Sequence, residues 1–242
     1  KMNLIVSGSV FSLMHNIFQN AKEPLFGRAD NIIKLSAFNL DTLKEIMYDH
    51  NPDYSNDDLL ALYTFTGGVP KYVELFCDNN ITTIKEMITF MVRDNSPFTD
   101  EGKYLLIEEF GKNYATYFSI LSAISGGMNT QPKIEAALGN ISIGGQLKRL
   151  IEDYNIVVRQ RPLMQNEGTH TVRYEIQDNF IRFWFNYFER YRSLIEIKNF
   201  EGLRSIITSN YTTYSGIMLE RYFKQKLAES KQFRAIGSWW EH

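Results

Sequence analysis

The sequence predicts a mainly helical fold with a small β-sheet, and three observations lead to that prediction. Apolar residues recur at helical spacing through most of the 242 residues. Between residues 155 and 176 the period changes from 3.6 to two, which is typical of paired strands. Two short apolar runs, 2–6 and 31–35, flank one predicted helix and indicate a partial α/β core.

The composition is that of a folded chain with little net charge. Apolar residues make up 44% and aromatic residues 14%, which excludes a disordered chain. The formal net charge of -2 gives no overall field that favours nucleic acid or an anionic membrane. Cys77 is the single cysteine, which excludes internal disulfides and cysteine-based zinc sites.

Composition also sets expectations for location and metals. No apolar run reaches the roughly 18 residues that a membrane span needs, so we expect no membrane partner. No signal peptide is recognised, and the single cysteine suits a reducing compartment, so we expect a cytoplasmic protein. The four histidines have no metal-ligand spacing, and we expect no metal site.

The first segment is predicted to be a strand, a helix and a second strand. The strand 2–6 runs into Ser7–Gly8–Ser9, the helix covers about 10–20, and the second strand covers 31–35. A buried strand rarely opens a domain. We therefore expect the earlier part of its sheet to be missing, with both ends disordered or completed by another chain.

The next segment is predicted to be a set of short helices. Asp41 is expected to cap a helix over 43–48, and Ser55 with Asp58 forms a capping box before the helix that follows. The sequence Thr-Gly-Gly-Val-Pro at 66–70 stops that helix, and helices over 71–77 and 83–93 follow.

The third segment is predicted to be three helices closed by a hairpin. The helix that begins near Tyr114 stops at Gly126–Gly127, a second helix covers 131–138, and a third covers about 142–154. Strands are expected over 155–163 and 169–176, joined by residues 164–168. This order is typical of a winged helix-turn-helix.

The last segment begins with a helix that has an aromatic face. Asp178 is expected to cap it, and we interpret the face as core rather than as a base-stacking platform. Its rings follow helical spacing at Phe180, Phe183, Trp184, Tyr187, Phe188 and Tyr191. Helices over 201–209 and 214–229 follow, and a strand that carries Trp239 and Trp240 is expected to begin near 235.

Five short motifs together resemble the archaeal-type ATPases of the AAA+/STAND class. In order, they are Ile-Val-Ser-Gly-Ser at 5–9, Pro-Leu-Phe-Gly-Arg at 24–28, Thr-Gly-Gly-Val-Pro-Lys-Tyr at 66–72, Phe-Ile-Arg-Phe-Trp-Phe at 180–185 and Gly-Ser-Trp-Trp at 237–240. In that family a nucleotide-binding domain precedes a helical lid, a winged helix and a domain similar to restriction-type nucleases.

The resemblance implies a division of the chain into four parts. Residues 1–38 would be the C-terminal part of a P-loop ATPase core, and 39–96 the helical lid. Residues 97–178 would be the winged helix with its lead-in helix. Residues 179–242 would be the aromatic connecting helix and the start of a nuclease-like α/β domain.

The resemblance also implies roles for single residues. Ser7 and Ser9 would be sensor 1, and Arg28 an arginine finger, which together form the catalytic set. The lid residues that would approach the nucleotide are Gly67, Gly68, Pro70 and Lys71. Glu220 would match an acidic position of the nuclease-like domain. Without the resemblance, the same residues are a capped turn, a loop arginine, a helix stop and a solvated glutamate.

The chain departs from the family in one large respect. It has no G-x-x-x-x-G-K-[ST] phosphate-binding loop, so most of a nucleotide site is missing. The resemblance therefore implies ATP and Mg²⁺ in the intact parent, no cofactor in this chain, and no ATP hydrolysis by this chain alone. The implied partners are the missing domains, another protein chain or a second copy.

The alternative function is a winged-helix module that binds DNA or regulates transcription. Residues 112–178 carry seven cationic and six anionic side chains, so a basic face would have to form by local clustering. The residues that would contact nucleic acid are Gln146, Lys148, Arg149, Arg159, Arg161 and Arg173. Packing between domains or proteins is the other use of such a module.

Overall fold

The computed structural model describes residues 4–8, 10–163 and 172–240. Helices dominate, and the two strands form a small antiparallel sheet, which confirms the mainly α class with little β. The first six helices are α1 (Phe11–Gln19), α2 (Leu40–His50), α3 (Asn56–Thr66), α4 (Pro70–Cys77), α5 (Ile84–Met91) and α6 (Glu101–Phe110). The remaining elements are α7 (Tyr114–Ser125), α8 (Gln131–Ala137), α9 (Gly144–Glu152), β1 (Val157–Gln160), β2 (Arg173–Ile176), α10 (Asn179–Trp184), α11 (Arg192–Glu196) and α12 (Phe200–Ser230).

Local capping signals set several helix ends as predicted. Ser55 and Asp58 form the expected capping box at the start of α3. Gly67, with a φ of 59°, ends the same helix in the left-handed conformation. Asp178 caps α10, and its Oδ1 accepts from the backbone nitrogen of Ile181 at 2.7 Å. These three predictions are confirmed.

The predicted first unit of strand, helix and strand is wrong in the described residues. The helix forms as α1, but residues 4–8 and 31–39 are irregular. Ile5 and Leu35 are 92% and 90% exposed, so these apolar runs are not buried in a sheet. A strand needs a neighbour for its backbone hydrogen bonds, and the two runs do not pair with each other.

Two other boundaries differ from prediction. Asn39, and not Asp41, caps α2, because its Oδ1 accepts from the backbone nitrogen of Thr42 at 2.8 Å. The helices expected over 201–209 and 214–229 are one continuous helix, α12. No glycine or proline lies between those two spans, and the buried stripe of α12 runs through both.

The predicted C-terminal strand is also wrong, since residues 235–240 are irregular. One backbone hydrogen bond links this segment to the residues that follow β1, from the nitrogen of Leu163 to the oxygen of Ser238 at 2.8 Å. One such bond does not make a ladder.

The strands β1 and β2 turn different faces to different neighbours. Val157 pairs with Ile176 and both are buried, so this face completes the core of α7, α8 and α9. The opposite face carries Gln160, Arg173 and Glu175, which lie against α12. The predicted connection 164–168 and the start of the predicted second strand, 169–171, lie outside the described residues.

The aromatic face after Asp178 is core, as predicted. α10 continues into a π-helical turn over Phe185–Glu189, and five of the six predicted rings are buried. Phe183 packs on Phe65 of α3 at a centroid distance of 4.9 Å, and Phe180 packs on Tyr72 of α4 at 4.3 Å. This segment therefore joins the N-terminal helices to α12. No helix in the described ranges is long and apolar enough to cross a membrane.

A glycine inside α12 gives a first stability prediction. Gly216 lies on the exposed side, and a Cβ built there meets no atom within 4 Å. Because glycine costs backbone entropy in a helix, Gly216→Ala is expected to raise the free energy of unfolding by about 0.5–1 kcal/mol. Urea denaturation followed by circular dichroism measures this change, and a loss of stability would contradict the open surroundings of Gly216.

Candidate functional site

The turn between α3 and α4 depends on two glycines with positive φ. Gly67 and Gly68 have φ values of 59° and 78°. Thr66 Oγ1 donates to the oxygen of Leu62 at 2.6 Å and accepts from the nitrogen of Gly68 at 3.1 Å. A Cβ on Gly68 would lie 2.6 Å from the oxygen of Phe38, so only glycine fits there.

Asn179, a buried residue, connects this turn to the far end of the chain. Its Nδ2 donates to the oxygen of Tyr63 at 3.1 Å, and its Oδ1 accepts from Arg221 Nη1 at 3.1 Å. A Cβ on Gly67 would lie 3.3 Å from the Cβ of Asn179, so the turn packs directly on this side chain.

Arg221 on α12 completes the connection to the hairpin. Its Nη2 donates to Glu175 Oε2 at 2.9 Å and to the oxygen of Ile176 at 2.6 Å, while Nη1 donates to the oxygen of Gln177 at 3.1 Å. Its side chain is only 14% exposed. Glu175, Asn179 and Arg221, together with Arg182, are called the junction network below.

A second guanidinium shares the same carboxylate. Arg182 Nη1 lies 3.5 Å from Glu175 Oε2, and burial, followed by the nearby Arg221 charge, lowers the pKa of Arg182. Burial raises the pKa of the Asp178 carboxyl, while hydrogen bonds from Ile181 and Phe180 act in the opposite direction. The junction network is thus a partly desolvated set of charges in which each group depends on its neighbours.

The nucleotide residues implied by the resemblance fall into two places. Gly67, Gly68, Pro70 and Lys71 lie at the turn and the start of α4. Lys71 Nζ binds the Glu101 carboxylate, which also accepts from the hydroxyl of Tyr72 at 3.3 Å. The two glycines approach Phe38 and Asn179, which are protein groups.

Of the implied catalytic residues, the two that the structure describes are not joined to that turn. Ser7 and Arg28 lie on exposed irregular segments, and Ser9 lies outside the described residues. In the part of the chain that the structure describes, no hydrogen bond or ion pair links Ser7 or Arg28 to residues 66–71. The described part of the chain contains no cluster of three side chains suited to a metal ion.

The candidate nucleic-acid residues do not share one face. Lys148 and Arg149 are exposed on α9, where Lys148 Nζ lies 3.7 Å from Glu152. Arg159 pairs with Tyr174, on the face of the hairpin opposite Arg173. In this set, Gln146 and Arg173 are half-buried, and the other four residues are exposed, namely Lys148, Arg149, Arg159 and Arg161. The basic cluster that DNA binding would need thus excludes Arg173.

Glu220 and Arg173 are brought together instead. Both line a cavity of about 150 Å³ between the hairpin, α12 and the C-terminal segment. Glu220 Oε1 lies 2.7 Å from Lys224 Nζ and accepts from Ser238 Oγ at 2.8 Å. The hydrogen bonds from Lys224 and Ser238 lower the pKa of Glu220. Its position in a polar cavity was not predicted from the sequence.

Comparison with known protein families finds no match for this chain. An uncharacterized protein of Methanocaldococcus jannaschii is 32% identical over 255 aligned positions that cover 99% of this chain. The chain spans 54% of that relative's length. A Walker-type ATPase of Pyrococcus abyssi has a TM-score of 0.43 at 20% identity, over 72% of this chain and 50% of that chain. At that score the structural similarity carries no assignment of activity.

Proposed function

We propose that the chain is the coupling part of an ATP-binding protein of the AAA+/STAND type, which passes a change at the lid turn to a winged helix and a nuclease-like domain. The observation that supports this most directly is the junction network. It links the turn at Gly67 to Asn179, then to Arg221 on α12 and Glu175 on β2.

The geometry suits a coupling role because a continuous set of polar contacts runs beside the aromatic packing of α3 on α10 and α12. Asn179 uses its amide nitrogen for Tyr63 and its amide oxygen for Arg221, so movement of one partner displaces the other. Arg221 then holds three backbone or side-chain acceptors on the hairpin side. An element with two discrete packings at such a junction can transmit a conformational state.

In the proposed parent, the phosphate-binding loop and the Mg²⁺ ligands belong to residues that this chain does not contain. We therefore expect the purified chain of 242 residues to bind ATP weakly or not at all. Isothermal titration calorimetry with ATP and Mg²⁺ measures this affinity. Micromolar binding would contradict the prediction and would require a phosphate site that the sequence does not indicate.

The coupling itself is tested in the complete gene product by hydrogen exchange with and without ATP. Nucleotide is expected to change protection at 66–70 and also at 173–179 and 217–224. In Asn179→Ala the first change should persist and the other two should be lost. Asn186→Ala is the matched control, since Asn186 also lies in the segment after Asp178 and donates only to the oxygen of Arg182 at 2.8 Å.

Two results would overturn the proposal. Absence of any ATP-dependent change would remove nucleotide coupling altogether. Retention of all three changes in Asn179→Ala would show that the signal, if present, does not pass through the junction network.

DNA binding by the proposed winged helix is the second candidate. The observation in its favour is that Arg149, Arg159 and Arg161 are exposed and near one another in sequence, on α9, within β1 and directly after β1. If the chain binds DNA, Arg159→Ala should weaken binding to all sequences alike and reduce the slope of log affinity against log salt by about one. Arg173→Ala is the control on the opposite face. The absence of a mobility shift at low salt would exclude this function for the chain.

A further inference from the structure

The cavity that holds Glu220 and Arg173 is formed by three separate parts of the chain. The face of the hairpin contributes Gln160, Arg173 and Glu175. One side of α12 contributes Glu220 and Lys224 among others, and the C-terminal segment contributes Ser238 and both tryptophans. Its volume is about 150 Å³, which is smaller than the roughly 300 Å³ or more of pockets for drug-sized ligands. It suits a single small group rather than a whole nucleotide.

The charges around the cavity leave one cation without a carboxylate. Glu175 is bound by Arg221 at 2.9 Å, and Glu220 is bound by Lys224 at 2.7 Å. Among the residues that the structure describes, no carboxylate oxygen lies within 4.0 Å of the Arg173 guanidinium. With Arg173, Arg221 and Lys224 opposed by two carboxylates, the cavity carries a surplus of positive charge.

The surplus cation is held in a defined orientation. The Arg173 guanidinium carbon lies 4.4 Å from the centroid of the Trp240 ring, a distance typical of cation–π stacking. Stacking uses the face of a guanidinium and leaves the N–H groups at its edge available for bidentate donation to an oxyanion. Further donors at the cavity are the Gln160 amide and the Lys224 ammonium, which also binds Glu220.

We propose that this cavity binds a small oxyanion, the phosphate or carboxylate group of a ligand, with Arg173 as its main donor. Trp239 lies at the same cavity and is 67% exposed, so an apolar part of the ligand can rest on its ring. Because the walls come from β1, β2, α12 and the C-terminal segment, a bound anion stabilises their packing against one another. The proposal does not rest on the ATP-coupling function, although Glu175 and Arg221 line the cavity and also belong to the junction network.

The test uses the 242-residue chain and indole N–H signals in nuclear magnetic resonance spectra. Inorganic phosphate and acetate are titrated separately at constant ionic strength, with chloride as the reference anion. Phosphate, acetate or both are expected to shift the Trp240 signal in a saturable way at millimolar concentrations. Saturation by phosphate alone identifies a phosphate group, and saturation by acetate alone a carboxylate. The buried Trp184 signal is the internal control for the fold.

Variants connect any shift to the cavity. Arg173→Gln is expected to weaken binding about tenfold or more, because a charge-assisted pair is lost. Arg190→Gln is the matched control, since Arg190 lies outside the cavity with its guanidinium 5.7 Å from the Tyr191 ring. If Arg173→Gln alters the Trp184 signal, Lys224→Gln is used in its place and is expected to weaken binding as well. No saturable shift, or equal affinity in the cavity variant and the wild-type chain, would overturn the proposal.

Discussion

Replacing Arg221 with methionine is expected to lower the free energy of unfolding by about 2–4 kcal/mol, as expected when one partner of a largely buried ion pair is removed. Methionine fills a similar volume but leaves the oxygens of Glu175, Ile176 and Asn179 without their donor. The loss of stability is expected to be smaller than for a fully enclosed ion pair, because Glu175 still has Arg182 as a cationic partner at 3.5 Å.

Urea denaturation of Arg221→Met against the wild-type chain measures this loss. Arg190→Met is the control, because Arg190 is exposed and stacks only on Tyr191, so a change within about 0.5 kcal/mol is expected. A double-mutant cycle with Glu175→Gln separates the ion pair from the backbone contacts of Arg221. A loss below about 1 kcal/mol would show that the junction network does not hold the hairpin against α12.

The features that could be predicted from the sequence are those that depend on near neighbours. The capping box at Ser55 and Asp58 needs only four consecutive residues. The aromatic face after Asp178 is visible as a helical period, and its burial follows from its size. The hairpin β1–β2 appears as a change of period, although β1 is shorter than the predicted strand 155–163.

The errors concern features that depend on distant parts of the chain. Residues 4–6 and 32–35 have the composition of strands, but a strand exists only where another strand pairs with it. Two helices were predicted over 201–209 and 214–229, whereas packing of the buried stripe continues α12 through both spans. Asn39 and Asp41 are both residue types that cap helices well. The cap is Asn39, because its side chain accepts from the Thr42 nitrogen.

The junction network was missed for the same reason. Asn179 and Arg221 are 42 positions apart, and neither belongs to a motif with a fixed spacing. A usable signal existed at Arg221, which lies between the buried Met218 and Tyr222 on α12. A cation on the buried side of a helix requires acceptors, so its position predicts a partner without naming it.

Trp184→Ala is expected to lower the free energy of unfolding by about 3–5 kcal/mol, which is the usual range for removal of an enclosed large aromatic ring. The ring is 0% exposed, and its Nε1 donates to the oxygen of Thr99 at 2.9 Å. The alanine variant therefore loses apolar contacts, creates a cavity and removes the indole donor from the partly buried carbonyl of Thr99. Thermal or urea unfolding measures the loss, and a value below about 1 kcal/mol would mean that the aromatic face is accessible and suited to a partner.

Gly102 on α6 tests how closely that ring is enclosed. A Cβ built at this position would lie 2.4 Å from Cδ2 of Trp184, so Gly102→Ala is expected to destabilise the chain by about 1–3 kcal/mol. The same substitution at Gly216, which has open surroundings, is expected to be stabilising. Helix propensity alone would predict that Gly102→Ala is stabilising as well, which is the opposite of the effect expected from contact with Trp184. In a Trp184→Leu background, the smaller side chain leaves room for the added methyl group, and the cost of Gly102→Ala should largely disappear. If Gly102→Ala stabilised the wild-type chain as Gly216→Ala is expected to, then α6 would not rest against the ring, and the enclosure of Trp184 would need another explanation.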